Sequence, residues 1–291
     1  MGDVKIVLFD LGKASEVAKT LVEKIAGAGW VLFEPTQKKR LAAADVEANR
    51  ILALGEIETS ALARRARVRL AKQEERKQLN VEQITAEAIP LLKSDAKPKA
   101  LNEDWLATFF ERASLISDVE MQSAWSRILA GEVNRPGAFS RRTLQIVSTL
   151  EKQDAHLITS LCRFAWTIGE SELNVVVVNH NDKIYVDAGI SFATLVHLEA
   201  MGVIKFDTES SLASFSIQGL PKNFVASYFD NRFTAELPDT AQGAIRMGKV
   251  MFTSVGRQIA AISGATPVEG FAEYCIGHYW APQRIIFSRV S

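Results

Sequence analysis

"SDVEMQSAWSRILAGEVNRPGAFSRRT", residues 117–143, is the stretch whose reading decides the fold. It holds the carboxylates Asp118, Glu120 and Glu132, and the arginines Arg127, Arg135, Arg141 and Arg142. It reads as an active site or as a helical hairpin. The spacing favours the hairpin. Ser117 and Glu120 stand three apart, as in a capping box that opens a helix. Met121, Trp125, Ile128 and Leu129 then share one helical face. Gly131 or the turn "NRPG" stops that helix, and Ser140 starts the next, with Leu144, Val147 and Leu150 as its stripe.

The acids have structural employment in this reading. Glu120 completes the cap, and Asp118 lies in a first turn, where negative charge suits the helix dipole. Glu132 has Arg127, Arg141 and Arg142 within reach. A buried Arg–Glu pair that fixes the hairpin is the expectation, and it says little about net stability. No catalytic role is assigned here.

The flanks extend the same pattern. In "NEDWLATFFERASLI", residues 102–116, Trp105, Phe109 and Ile116 share a face, with Phe110 and Ala113 beside them. "EKQDAHLITSLCRFAWTIG", residues 151–169, supplies a fourth helix through Ala155, Ile158, Cys162 and Ala165 or Trp166. Residues 100–170 are therefore expected to form a central helical domain.

Upstream, residues 37–90 read as one long charged helix rich in Ala, Leu, Glu, Arg and Lys, with Asn80 a possible cap near its end. Its stretch from Lys38 to about Leu79 would span roughly 60 Å. So narrow an apolar stripe needs partners, which points to an oligomerisation arm of coiled-coil type. "ARRARVRLAK" gathers Arg64, Arg65, Arg67 and Arg69, a basic group that could meet phosphate or stay solvated. Residues 1–36 form an amphipathic segment. Val17, Leu21, Val22 and Ile25 lie near one helical face, and Trp30 and Phe33 close it before Pro35. It suits a core helix or an interfacial membrane helix.

After Glu172 the pattern turns β-rich. "LNVVVV" and "DKIYVD" read as a hairpin around "NHND". Ser191 caps "SFATLVHLEAMG", and "VIKF" follows as a strand. A helix, a glycine and then a strand is the arrangement of a winged-helix recognition helix entering its wing. Residues 172–291 are thus expected to be a winged-helix-like domain with β-hairpins. The whole is α+β, mainly α. The candidate helix offers Thr194, His197 and Glu199 but no cation before Lys205. Phosphate and base readout normally need cations, so a protein partner is favoured over DNA.

The run from Glu103 to Leu144, with "DAHLITSLCRFAW", resembles the bacterial family of domain of unknown function 2806. The likeness extends to Gly29, Trp30, Leu32, Glu34 and Pro35, and to "ISFATLVHLEAMGVI" and "GKVMFTSVGRQI". That family brings no activity to transfer. A remoter similarity joins the apolar opening and the helical block to the Abi-alpha group of abortive-infection proteins, which implies phage defence.

Composition bounds the rest. The 291 residues carry 34 basic and 34 acidic side chains, so any nucleic-acid contact must be local. The two cysteines, without CxxC spacing, suit a reducing compartment. The start "MGDVKIVLFDLGK" lacks the basic n-region of a signal peptide. No apolar run approaches the roughly 20 residues that span a bilayer. His156, His180, His197 and His278 are dispersed, and no metal, cofactor or phosphate-loop motif stands out. The expected function is that of a cytoplasmic, non-enzymatic, oligomeric scaffold or sensor with an unknown protein partner, and a place at the inner-membrane periphery stays open. The alternative is a nucleic-acid-binding regulator working through the winged-helix-like domain or the basic arm.

Overall fold

The computed structural model describes residues 14–30, 32, 61–170, 173–208 and 215–290. Phe33, Pro35 and the arm before residue 61 lie outside them. The fold is α+β, and among the described residues the antiparallel strands lie in the C-terminal part. The chain divides into two compact units, Met1–Ser148 and Thr149–Ser291.

In the first unit Ser15 caps α1 (Glu16–Gly27) by accepting from the Ala18 amide at 3.2 Å. Ala18, Leu21, Val22 and Ile25 are buried. Trp30 is half-buried, its ring 5.6 Å from that of Phe110. The apolar face of this segment thus docks on its own unit. Glu103 accepts from Lys24 at 2.9 Å, and that bond and charge hold the exposed Glu103 carboxyl below its ordinary range.

Helix α2 (Ala61–Ala88) runs unbroken through Asn80. Asn80 is not a cap. It is buried and joins three helices. Its amide donates to the Ser114 carbonyl at 2.8 Å and to Ser117 Oγ at 3.1 Å. Its Oδ1 accepts from Gln122 Nε2 at 3.1 Å. Such a buried amide set is stabilising only when its groups are satisfied, which fixes how α2 meets α3 (Glu103–Ala113) and α4 (Val119–Asn134). Trp105, Phe109, Phe110 and Trp125 pack edge to face and offset between them. Helix α5 (Arg141–Val147) starts at Ser140, as its sequence indicates, with Ser140 accepting from the Thr143 amide at 3.1 Å.

In the second unit α6 (Lys152–Cys162) carries a capping box made by Glu151 and Asp154. The helix ends at Cys162. Ala165 and Trp166, expected on its face, belong instead to strand β1 (Ala165–Ile168), which pairs with β2 (Leu173–Val175). "DKIYVD" is not a strand. Its centre is a single helical turn, α7 (Lys183–Val186), because burial of Tyr185 sets its conformation rather than the β-branched residues around it. Ser191 caps α8 (Phe192–Ala200), and Gly202 ends the turn after it at φ +76°.

Strand β3 (Ile204–Phe206) follows α8 as expected. Its partner is distant: β8 (Val250–Phe252), with Ile204 opposite Phe252. Between them lie β4 (Phe215–Ile217), β5 (Asn223–Tyr228), β6 (Asn231–Glu236) and β7 (Ile245–Gly248). A five-stranded sheet runs β2-β1-β5-β6-β9, closed at one edge by β9 (Ile286–Arg289). Thr253 caps α9 (Ser254–Ala260). Helix α10 (Phe271–Tyr274) continues as a π-helical turn, Cys275–Trp280. Trp166, Tyr228, Phe233 and Trp280 form the aromatic core over the sheet.

Candidate functional site

Two surfaces carry the features that could meet a partner. The first is the N-terminal half of α2. Its C-terminal half buries Val81, Ile84 and Ala88 on one face. Helical spacing continues that face upstream through Leu70, Ala66 and Leu62. There it is bare, with Leu70 57% and Leu62 68% exposed. Arg64, Arg65 and Lys72 lie on the opposite side, with Arg67 and Arg69 on the two flanks, Arg69 on the flank of Leu62. All are exposed. So the structure spreads the basic group over a broad arc, with Arg64 and Arg65 beside a shallow concavity.

The second surface was not marked from sequence. On α8, Phe192 and Val196 stand four apart and are 51% and 41% exposed. Val186, at the end of α7, is also exposed. The Phe192 ring is held by His180 at 5.8 Å and Phe206 at 5.6 Å. Buried Leu195 and Leu198 occupy the other face of the same helix. The apolar spacing was visible in "SFATLVHLEAMG". That spacing marks Leu195, Leu198 and Met201 for burial; Leu195 and Leu198 are buried and Met201 is half-buried, while the exposed pair Phe192 and Val196 is not marked by it.

His197 is half exposed but is not a free reader. Its Nε2 lies 2.7 Å from Asp154 Oδ1, joining α8 to α6. Burial pushes the Asp154 carboxyl up. Bonds from His197 and the Glu151 amide, with the charge on His197, more than offset this and hold it below its ordinary value.

The stretch 117–143 is structural throughout. Asp118, not Ser117, caps α4, accepting from the Met121 amide at 3.1 Å. Ser117 instead receives the Asn80 amide, and Glu120 is exposed in the first turn. Glu132 is 3% exposed and does not make the ion pair expected of it. Its two oxygens accept from the Gly137 amide at 2.7 Å and the Phe139 amide at 2.8 Å. A carboxylate satisfied by backbone donors ties the "NRPG" turn to the helix that precedes it. Arg142 is exposed. Arg127 is half-buried, and burial lowers its guanidinium pKa. Helix α4 runs past Gly131 to Asn134, because the missing Cβ at Gly131 makes room for the Phe139 ring. Trp105 Nε1 donates to the Phe139 carbonyl at 2.7 Å and closes the loop from the other side.

Among the described residues no group of three or more His, Cys, Asp or Glu side chains is placed to hold a metal ion. Cys162 and Cys275 are buried and unpaired. Among the same residues no helix is long and apolar enough to cross a membrane.

The model of a family described as protein of unknown function (DUF2806) matches residues 64–275, well over half of the chain. The chain belongs to the DUF2806 family. The matched stretch of this DUF2806 member begins within α2 and ends where α10 passes into its π-turn, so the α8 surface and all of the α2 surface but its first residues, Leu62 among them, fall in it. No curated protein and no solved structure matches the chain.

Proposed function

We propose that this protein is a non-enzymatic, oligomeric scaffold or sensor. Copies join through α2, and the C-terminal unit, of winged-helix-like arrangement, takes a protein partner on α8. The observation that carries the reading is the bare continuation of the α2 packing face at Leu62 and Leu70. A helix face of that kind is ordinarily covered. The exposed Phe192 and Val196, on a helix without Arg or Lys, support a protein partner over DNA.

Light scattering on the full chain tests this, with a mass above one chain as the expected result. Leu62→Asp together with Leu70→Asp returns it to a monomer. A monomeric wild type at micromolar concentration overturns the reading. A cytoplasmic location and a role in phage defence belong to the same proposal, the latter supported only by the Abi-alpha resemblance. Loss of plaque-count protection in cells carrying the doubly substituted chain would support it. Binding at the inner-membrane surface has less support, since the α1 face that lipid would need is covered by its own unit.

A nucleic-acid-binding regulator is the second reading, favoured by the exposure of Arg64, Arg65, Arg67 and Arg69. It requires a gel shift at low salt that weakens steeply with ionic strength and disappears when all four are changed to Gln.

A further inference from the structure

The second unit holds a cavity of about 310 Å³ beneath the β5–β6 turn. Its chemistry is uniform. Thr167, Ser227, Ser263 and Cys162 supply hydroxyls and a thiol, Leu173 and Phe229 supply apolar faces, and alanine and glycine complete the wall. Among the described residues no charged side chain lines it. Burial pushes the Cys162 thiol up to about 12, so it too is neutral at physiological pH.

Thr167 on β1 and Ser227 on β5 are directly opposite in register. Their side chains therefore leave the sheet on one face, as a cross-strand pair. Among the described residues neither hydroxyl has a hydrogen-bond partner in the structure. The facing wall is fixed. Ser263 Oγ donates to the Ala260 carbonyl at 2.9 Å and accepts from the Ala265 amide at 3.3 Å, which holds the turn after α9 in place.

Phe229 makes this more than a gap in packing. It occupies the first position of a two-residue hairpin loop between Tyr228 and Asn231, with φ +51°. Glycine is the ordinary residue at such a position. A bulky side chain at positive φ is strained, and such strain persists where the surroundings hold it and concentrates at ligand sites. Here the ring is set against Tyr228, 5.0 Å between centroids, and lines the cavity.

We propose that this cavity is a binding site for a small uncharged molecule, with a ring or short hydrocarbon body against Phe229 and Leu173 and a neutral hydrogen-bonding head at Thr167 and Ser227. The volume lies at the lower end of the range for ligand sites, which limits the occupant to about one ring and a short head. The described lining offers an ionised ligand no charged partner to replace its lost hydration, which favours a neutral one.

Benzamide is the probe, titrated into the full chain by calorimetry and ligand-observed NMR beside benzoate and benzylammonium. Benzamide binds in the millimolar range, as befits so small a ligand, and both ions bind at least roughly tenfold more weakly. Thr167→Val with Ser227→Ala weakens benzamide roughly tenfold at unchanged Tm. Phe229→Gly also weakens it, while Tm holds or rises as the strained φ is relieved. The two variants act on separate walls, so either reads out alone if the other fails to fold. No benzamide binding, equal binding of the three probes, or undiminished binding by a folded variant overturns the proposal. None of these outcomes bears on the oligomer.

Discussion

The two units join their elements in different ways. In the first, beside the longer reaches of Asn80 and Trp105, many polar side chains reach backbone groups close by in sequence. Asn102 caps α3, Asp118 caps α4, Ser140 caps α5, and Glu132 accepts amides five and seven residues ahead. In the second, the decisive contacts join residues far apart. Thr167 pairs with Ser227, Ile204 with Phe252 and Phe233 with Arg289. Backbones there meet without an intervening side chain: a Cβ on Gly256 would stand 1.9 Å from the Val203 carbonyl oxygen, and one on Gly248 2.2 Å from that of Val177. A side-chain tether can shift by tenths of an ångström, whereas a backbone contact cannot. The first unit should therefore tolerate small insertions of volume that the second does not.

The same substitution in both units tests that contrast most sharply. Gly256→Ala places a methyl on a carbonyl that also accepts from the Thr253 amide at 3.0 Å. Neither side can move without parting α9 from β3, so the second unit should lose about 4 kcal/mol or more. Gly131→Ala meets only the Phe139 ring, at 2.6 Å, and a ring can turn. Its cost should be about 1–2 kcal/mol. Chemical denaturation with separate probes of each unit reads both, and equal losses would break the contrast.

Glu132 is where a side-chain tether carries most. Glu132→Ala removes the acceptor of two amides and leaves the Phe139 amide buried without one. The expected loss is about 3 kcal/mol, against about 1 kcal/mol for Asp118→Ala at an exposed cap. Glu132→Gln keeps one acceptor oxygen and should fall between the two. If Glu132→Ala costs no more than Asp118→Ala, the tether is incidental and the turn folds on its own.

These contrasts also explain what the sequence discloses. Capping residues and apolar spacing are local, and they locate α3, α4 and α5 and the inward positions Trp105, Phe109 and Trp125. Even there, Ser117 and Asp118 compete for one cap, and only the pull of Asn80 on Ser117 decides between them. The partners of Glu132 could not be read either, since backbone amides leave no mark in the residue types. In the second unit "VIKF" is legible as a strand, but its partner lies more than 40 residues away across an inserted set of strands. "DKIYVD" has strand-forming residues and still turns as a helix, since tertiary burial of Tyr185 outweighs a weak local preference. Both interaction surfaces follow this rule. The arginines of α2 were visible as a group, but their spread around the helix needs the helix itself. On α8 the spacing marks Leu195 and Leu198 for burial, but that Phe192 and Val196 stay exposed needs the folded helix.

A smaller effect separates two tryptophans of the first unit. Trp105 Nε1 has the Phe139 carbonyl, whereas the buried Trp125 Nε1 has no partner among the described residues. Changing each to Phe removes the same atoms from a buried site, so the volume costs largely cancel. Only Trp105→Phe orphans a carbonyl. It should cost about 1–2 kcal/mol more than Trp125→Phe in urea unfolding. Equal costs would mean that the Trp105 bond adds nothing to the closure of the loop.

The smallest expected effect lies in the second unit, at a polar tether that resembles those of the first. Asp154 both accepts the Glu151 amide at 3.0 Å and meets His197 at 2.7 Å. Its carboxyl is held below the ordinary value of 3.8. A folded-state value below the unfolded one means that the unfolded chain takes up the proton first as pH falls. The contribution of Asp154 is therefore whole above pH 3.8 and disappears as pH falls through the lower folded value. His197 is half exposed, so solvent screening limits the effect to under about 1 kcal/mol. Asp154→Asn retains an oxygen for the cap and removes the charge. Its second unit should be slightly less stable at neutral pH and should lack this acid-dependent step, while the first unit is unchanged. A step of the same size in the variant would assign the acid sensitivity to other carboxylates.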